Sequence, residues 1–166
     1  MEAAEVLETE STIVDVPVLR RAAMDFLARR EHSFFELAEK LSMRFPDEEL
    51  MRIESVLEDL AADNLQSDAR FVEAWSRYRK SRGFGYHHIR QDLLQRRVSG
   101  ELIDQHLFTD DECWQQMASR LVRRRTLNSS KFEFGSAQHK RLVRFLESRG
   151  FGSREIQLAI APYLLP

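Results

Sequence analysis

An aliphatic pair spaced four residues apart occurs three times in this chain, at Leu37/Leu41, Ile89/Leu93 and Leu142/Leu146, recurring at intervals of 52 and 53 residues. Nine or ten residues after each pair comes a further apolar anchor, Leu50, Ile103 or Ile156. Side chains at i and i+4 share one face of a helix, and self-similarity at such a period belongs to the broad class of helical arrays. The chain therefore reads as all-α, three tandem three-helix modules. With only 6 Gly and 4 Pro in 166 residues, it has too few turn formers for an all-β protein.

The helices can be placed along the chain. Residues 1–15 carry Glu2, Glu5, Glu8, Glu10 and Asp15 and no base, the pattern of a mobile acidic arm. Module one is expected over residues 16–64. Pro17 suits a first helical turn, and Leu19, Ala22, Ala23, Phe26 and Leu27 form its stripe. Ser33-Phe34-Phe35-Glu36 is a capping box opening a second helix, and Pro46-Asp47 breaks it and recaps a third. Module two is expected over residues 65–108: Ser67 caps a helix bearing Phe71, Trp75 and Tyr78, Gly83-Phe84-Gly85 interrupts, and Ser99 precedes the third helix. Module three is expected over residues 109–166. Thr109-Asp110-Asp111-Glu112 reads as another capping box, a polar loop runs from about Thr126 to Ser136, and the last helix follows Gly152-Ser153.

A second repeat competes for attention. Ser81-Arg82-Gly83-Phe84-Gly85 and Ser148-Arg149-Gly150-Phe151-Gly152 are identical and lie 67 residues apart, out of step with the module register. The first would join helices one and two of its module, the second helices two and three. The expectation is shared helix-stop chemistry alone, glycine accepting positive φ after a basic last turn.

The net charge of −2 conceals a split. Residues 1–68 hold 17 acids and 7 bases, a net of −10, whereas residues 69–166 hold 10 acids and 18 bases, a net of +8. Such asymmetry fits an electrostatically patterned partner, or else basic helices that simply face water. A single cysteine, Cys113, excludes an intrachain disulfide. No basic start leads into an apolar run at the N-terminus, and the most apolar stretch, 156–166, falls short of the roughly 20 residues that span a bilayer. A cytoplasmic chain without membrane contact is expected.

The bases gather in clusters. One comprises Arg70, Arg77, Arg79, Lys80, Arg82, Arg90, Arg96 and Arg97, against only Glu73 and Asp92. A second holds Arg120, Arg123, Arg124, Arg125 and Lys131, and a third Lys140, Arg141, Arg144, Arg149 and Arg154. Guanidinium groups suit phosphates and carboxylates alike, so DNA backbone or an acidic protein surface could be the target. Trp75 and Tyr78 share a stripe with Phe71, which favours core packing over base stacking. Arg29 and Arg30 flank the turn before His32, either as partner contacts or as cations at a helix C-terminus.

Chemistry of other kinds finds little support. His87 and His88 are adjacent, hence about 100° apart on a helix, and cannot readily chelate one metal together. Cys113 and His106 are separated by the expected cap at Thr109, leaving Cys113 as a packing residue beside Trp114. No phosphate-cradling glycine loop and no nucleophile elbow is present. No cofactor, no metal and no enzymatic activity are expected.

These residues also carry a family resemblance. Ala28-Arg29-Arg30-Glu31-His32-Ser33 with Glu36-Leu37 and Lys40-Leu41 is similar to the first module of the RecX proteins, bacterial regulators of the RecA recombinase. Ser67-Asp68-Ala69-Arg70-Phe71, Arg79, Gly83-Phe84-Gly85 and Ile89-Arg90-Gln91-Asp92-Leu93 resemble the second. Lys140, Phe145-Leu146 and Arg149-Gly150-Phe151 resemble the third. The match runs from about Val18 to Tyr163. Asp92 stands where the family often has Glu, and Tyr86 where a proline or small residue is frequent. The resemblance implies an elongated, curved right-handed-type array that binds as a monomer along the groove of a RecA–DNA filament. It further implies damping of ATPase, strand exchange and coprotease functions, with single- or double-stranded DNA as a further partner.

Overall fold

The computed structural model describes residues 14–127 and 130–166, which form nine α-helices and a closing 3-10 turn. Of the expected acidic arm, all but Val14 and Asp15 lies outside the described residues. The chain divides into two compact units, Met1–Ser67 and Asp68–Pro166.

The first unit contains α1 (Val16–Leu27), α2 (Phe34–Arg44) and α3 (Leu50–Ala62). Pro17 sits in the first turn of α1, where its missing N–H costs nothing. Ser33 Oγ accepts from the Glu36 N–H at 3.1 Å, so the serine caps α2 as its sequence position foretells. The cap of α3 differs from expectation. Glu49, not Asp47, precedes it and makes no side-chain capping bond. Asp47 stands two positions too early to reach the N2 or N3 amides. Two residues past the end of α3 comes Asn64, whose φ of 56° is the left-handed stop that asparagine tolerates. The apolar stripes of all three helices converge on one core, with Leu19, Leu37, Leu41, Ile53, Leu57 and Leu60 fully buried. Each such side chain contributes roughly 1.5–3 kcal/mol relative to exposure.

The second unit contains α4 (Asp68–Ser81), α5 (Tyr86–Gln95), α6 (Gly100–His106), α7 (Cys113–Thr126), α8 (Ala137–Ser148) and α9 (Ser153–Ile160), then the turn Ala161–Tyr163. Helices α4, α5 and α6 enclose a core of Phe71, Val72, Ile89, Leu93 and Ile103. Helices α7, α8 and α9 enclose another, with Val122, Leu146, Phe151, Ile156 and Ile160. Helix α7 serves both cores. Trp114 near its start is buried in the first and donates from Nε1 to the Phe108 carbonyl at 2.8 Å; Ala118 and Val122, one and two turns on, lie in the second.

Two expectations for α7 need correction. Thr109 does not cap it; the N-cap position is Glu112, which makes no side-chain capping bond, and Asp111 just before it accepts from the Cys113 N–H at 2.9 Å. Nor does a loop begin at Thr126, which is the buried last residue of the helix and donates its hydroxyl to the Val122 carbonyl at 2.9 Å. The buried side of α7 runs on through Val122 to Thr126 beneath its basic run Arg123–Arg125, which hides its end from a reading of local polarity. Further on, Ser136 Oγ caps α8 through the His139 N–H at 3.2 Å.

Candidate partner-binding surface

The basic side chains singled out from the sequence separate into two groups once the chain is folded. In the second unit, Arg77, Arg82, Arg123, Arg124, Lys140, Arg141 and Arg144 are exposed. Arg97 and Arg125 are exposed as well. Arg70, Arg79, Lys80, Arg90, Arg96 and Arg149 are partly buried.

Most of the second group is engaged by the fold itself. Arg79 forms an ion pair with Asp92, and its Nη2 donates to His88 Nε2 at 3.0 Å, which keeps that ring nitrogen an acceptor. Lys80 Nζ donates to Asp111 Oδ2 at 3.0 Å and lies 4.3 Å from the centre of the Trp114 ring. Arg90 grips Asp104 through Nε at 3.1 Å and Nη2 at 3.3 Å. Arg96 donates to the Asp92 carbonyl at 2.9 Å.

Four of the arginines alternate with three aromatic rings in a continuous ladder. Arg96 stacks 4.0 Å over Trp75, and Arg79 lies over both Trp75 at 5.4 Å and Phe84 at 4.2 Å. Arg149 touches Phe84 at 4.7 Å and Phe145 at 5.4 Å, and Arg125 closes the row 3.6 Å over Phe145. Each such contact adds about 0.5–2 kcal/mol, more where water is excluded. The ladder therefore runs from α5 through α4 to α8 and α7. Sequence reasoning missed Phe84 and Phe145 as its rungs, and Asp92, Asp104 and Asp111 as internal partners of the bases. Opposite charges more than ten residues apart leave no local signature.

Electrostatics at α7 follow from the same packing. The Cys113 N–H, the Cys113 thiol and the Lys80 ammonium hold the Asp111 carboxyl down at about 2. Burial pushes the Cys113 thiol up, and its hydrogen bond with Asp111 adds to this, so the group is protonated and a poor nucleophile. Burial alone would depress Lys80, yet its bonds to Asp111 and Cys113 outweigh that and raise it. Arg90 is raised by its hydrogen bond to Asp104.

In the first unit Arg29 is exposed at the end of α1, whereas Arg30 bonds the Glu36 carboxylate at 3.0 Å and the Glu31 carbonyl at 2.9 Å. His32 is only 4% exposed. Its Nδ1 lies 3.1 Å from Glu36 and its ring meets Phe26 edge-on at 6.1 Å. It therefore packs inside the unit.

Among the described residues no group of three or more His, Cys, Asp or Glu could hold a metal ion, and no helix is long and apolar enough to cross a membrane. An apolar groove of about 400 Å³ beside α8 and α9 is lined by His139, Glu147 and Ser153 among others.

Residues 67–107 match the family model described as RecX, second three-helix domain. A protein named regulatory protein RecX from Pseudomonas putida KT2440 is 40% identical over 142 residues, covering 85% of this chain and 88% of its own length. Its namesake from Pseudomonas entomophila L48 is 38% identical over 147 residues, covering 88% and 92%. Two crystal structures share the fold. RecX from Lactobacillus salivarius superposes with a TM-score of 0.66 at 17% identity, over 89% of this chain and 96% of that one. Another, described as regulatory protein RecX, gives 0.73 at 20% identity, over 89% and 73%.

Proposed function

The chain belongs to the RecX family, and from that premise we propose that it is a cytoplasmic regulator of the RecA recombinase. It binds as a monomer along the groove of the RecA–DNA filament and damps its ATPase, strand-exchange and coprotease activities. The observation that carries this reading is the extensive identity to proteins named as RecX regulators. The exposed bases Arg77 of α4, Arg123 and Arg124 of α7 and Lys140, Arg141 and Arg144 of α8 add a means of binding, since their charged ends suit phosphate or carboxylate. A binding protein needs no catalytic pair of its own.

ATP hydrolysis by a preformed RecA filament, followed as this protein is added, tests the reading. Inhibition with co-sedimentation at micromolar protein is expected; neither effect at that concentration would sink the proposal. Tight binding to naked DNA with a steep salt dependence, and no preference for filament, would instead mark a general nucleic-acid-binding helical module.

A further inference from the structure

The twin Ser-Arg-Gly-Phe-Gly segments are not used by the helical register, and their identity has a tertiary meaning. In both, the central glycine adopts a left-handed conformation, Gly83 at φ 79° and Gly150 at φ 83°, as helix-stop chemistry requires. Beyond that, the two turns grip one another. The Gly85 N–H donates to the Arg149 carbonyl at 2.7 Å, and the His87 N–H donates to the Gly150 carbonyl at 3.0 Å. Arg149 Nη1 returns a bond to the Arg82 carbonyl at 3.0 Å.

There is no room between them. A methyl group on Gly85 would lie 2.6 Å from the Gly150 carbonyl oxygen and 2.8 Å from the Phe151 nitrogen. One on Gly150 would lie 2.3 Å from the His88 nitrogen. These are backbone atoms, which cannot swing aside as a side chain can. The arginine–aromatic ladder crosses the same joint, with Phe84 held between Arg79 and Arg149.

We infer that this clasp is a positioning device. It fixes the turn between α4 and α5 against the turn between α8 and α9, so that exposed bases on the two sides of the joint engage one partner at once. Arg82 lies within the clasp, and Arg141 and Arg144 belong to the helix that ends in it. When two contact patches are held rigidly, the second binds at high effective concentration once the first is engaged. A hinge at the joint forfeits that advantage while leaving every arginine in place. The inference rests on the reading of the chain as a filament regulator.

The full-length protein and preformed RecA–DNA filament provide the test, with the inhibitory concentration as readout. Gly85→Ala is the main variant, since φ at Gly85 is −88° and alanine meets only the clash across the joint. Gly83→Ala is its control: it strains a left-handed turn yet faces mainly the Leu121 side chain, at 3.3 Å. Each is combined with neutralisation of α8 (Lys140→Gln, Arg141→Gln, Arg144→Gln).

In the wild-type and Gly83→Ala backgrounds the neutralisation is expected to weaken inhibition at least ~10-fold. In Gly85→Ala, itself weakened, it costs less than ~2-fold, because the two patches no longer cooperate. Amide exchange at Gly85 and His87 reports whether the joint has opened. Arg149→Lys is a second variant, keeping the charge but losing the planar stack, and carries the test if Gly85→Ala does not fold. It should weaken inhibition despite its unchanged charge.

Full coupling in Gly85→Ala with both amides unprotected, or wild-type inhibition by Arg149→Lys, removes the clasp alone. A wild-type protein that leaves the filament untouched removes the regulator reading itself, and the positioning role with it.

Discussion

The backbone N–H of Gly85 donates to the carbonyl of Arg149 at 2.7 Å, joining two turns of identical sequence from opposite ends of one compact unit. Each turn ends a helix by local rules, and the second role of the pair arises only from their meeting.

Glycine positions in this chain should therefore differ sharply in tolerance. Gly135 has φ 76° but nothing within 4 Å of an added Cβ, so Gly135→Ala should cost about 1 kcal/mol, the conformational strain alone. Gly150→Ala adds a collision with the His88 backbone and should cost about 3 kcal/mol or more. Urea unfolding followed by tryptophan fluorescence measures both, as Trp75 and Trp114 both belong to the second unit. Equal losses would contradict the steric argument.

Arginines of the two groups should separate in the same assay. Arg79→Ala leaves Asp92 half-buried without its ion pair and strips one support from Phe84, for an expected loss of about 2 kcal/mol. Arg144→Ala touches an exposed side chain and should stay within about 0.5 kcal/mol of wild type. Its effect belongs in filament inhibition instead. A large stability loss for Arg144→Ala would overturn this division.

The Asp111 cluster gives a pH signature. Its carboxyl lies near 2 when folded against 3.8 ordinarily, so its stabilisation is complete above about pH 4 and is lost as pH falls toward 2. The carboxylate is partly solvated, which reduces the contribution to about 1 kcal/mol. Asp111→Asn should thus be less stable than wild type by that amount at pH 7, with the gap closing near pH 2. A gap that persists at pH 2 would show that ionisation is not its origin.

Loss of the α2 cap should be felt in the first unit alone. Ser33 is fully buried and its hydroxyl accepts the Glu36 amide, so Ser33→Ala should cost about 1–2 kcal/mol. Ser99, exposed at the start of α6, caps through the Leu102 N–H at 3.2 Å, and Ser99→Ala should cost about 0.5–1 kcal/mol. The first unit has no tryptophan, so amide exchange along α2 is the measurement, and unchanged protection in Ser33→Ala would count against the cap.

Much of the helical layout was legible before folding because it obeys rules that act within a few residues. The stripes of α1 and α2, the Ser33 and Ser99 caps and the glycine stops lie where spacing alone places them. In α3, by contrast, the expected anchor Leu50 is exposed at the first position of the helix and the buried stripe begins at Ile53. Misplacements came where local signals competed. Thr109 offered a capping box, yet it is Asp111 that accepts the Cys113 N–H; Thr126 resembled loop, yet its hydroxyl bonded back into the helix.

By itself, then, the amino-acid sequence determined an all-helical chain, a threefold recurrence of apolar pairs and a division of charge between acidic and basic parts. Tertiary structure alone decided which bases face solvent and which are spent on Asp92, Asp104, Asp111 and three aromatic rings. It also decided that the two identical pentapeptides should meet. Helix periodicity is a property of neighbours in the chain, whereas the ion pair of Arg79 with Asp92 spans 13 positions and the bond of Arg149 to Arg82 spans 67. Only the packing of the cores brings such residues within reach.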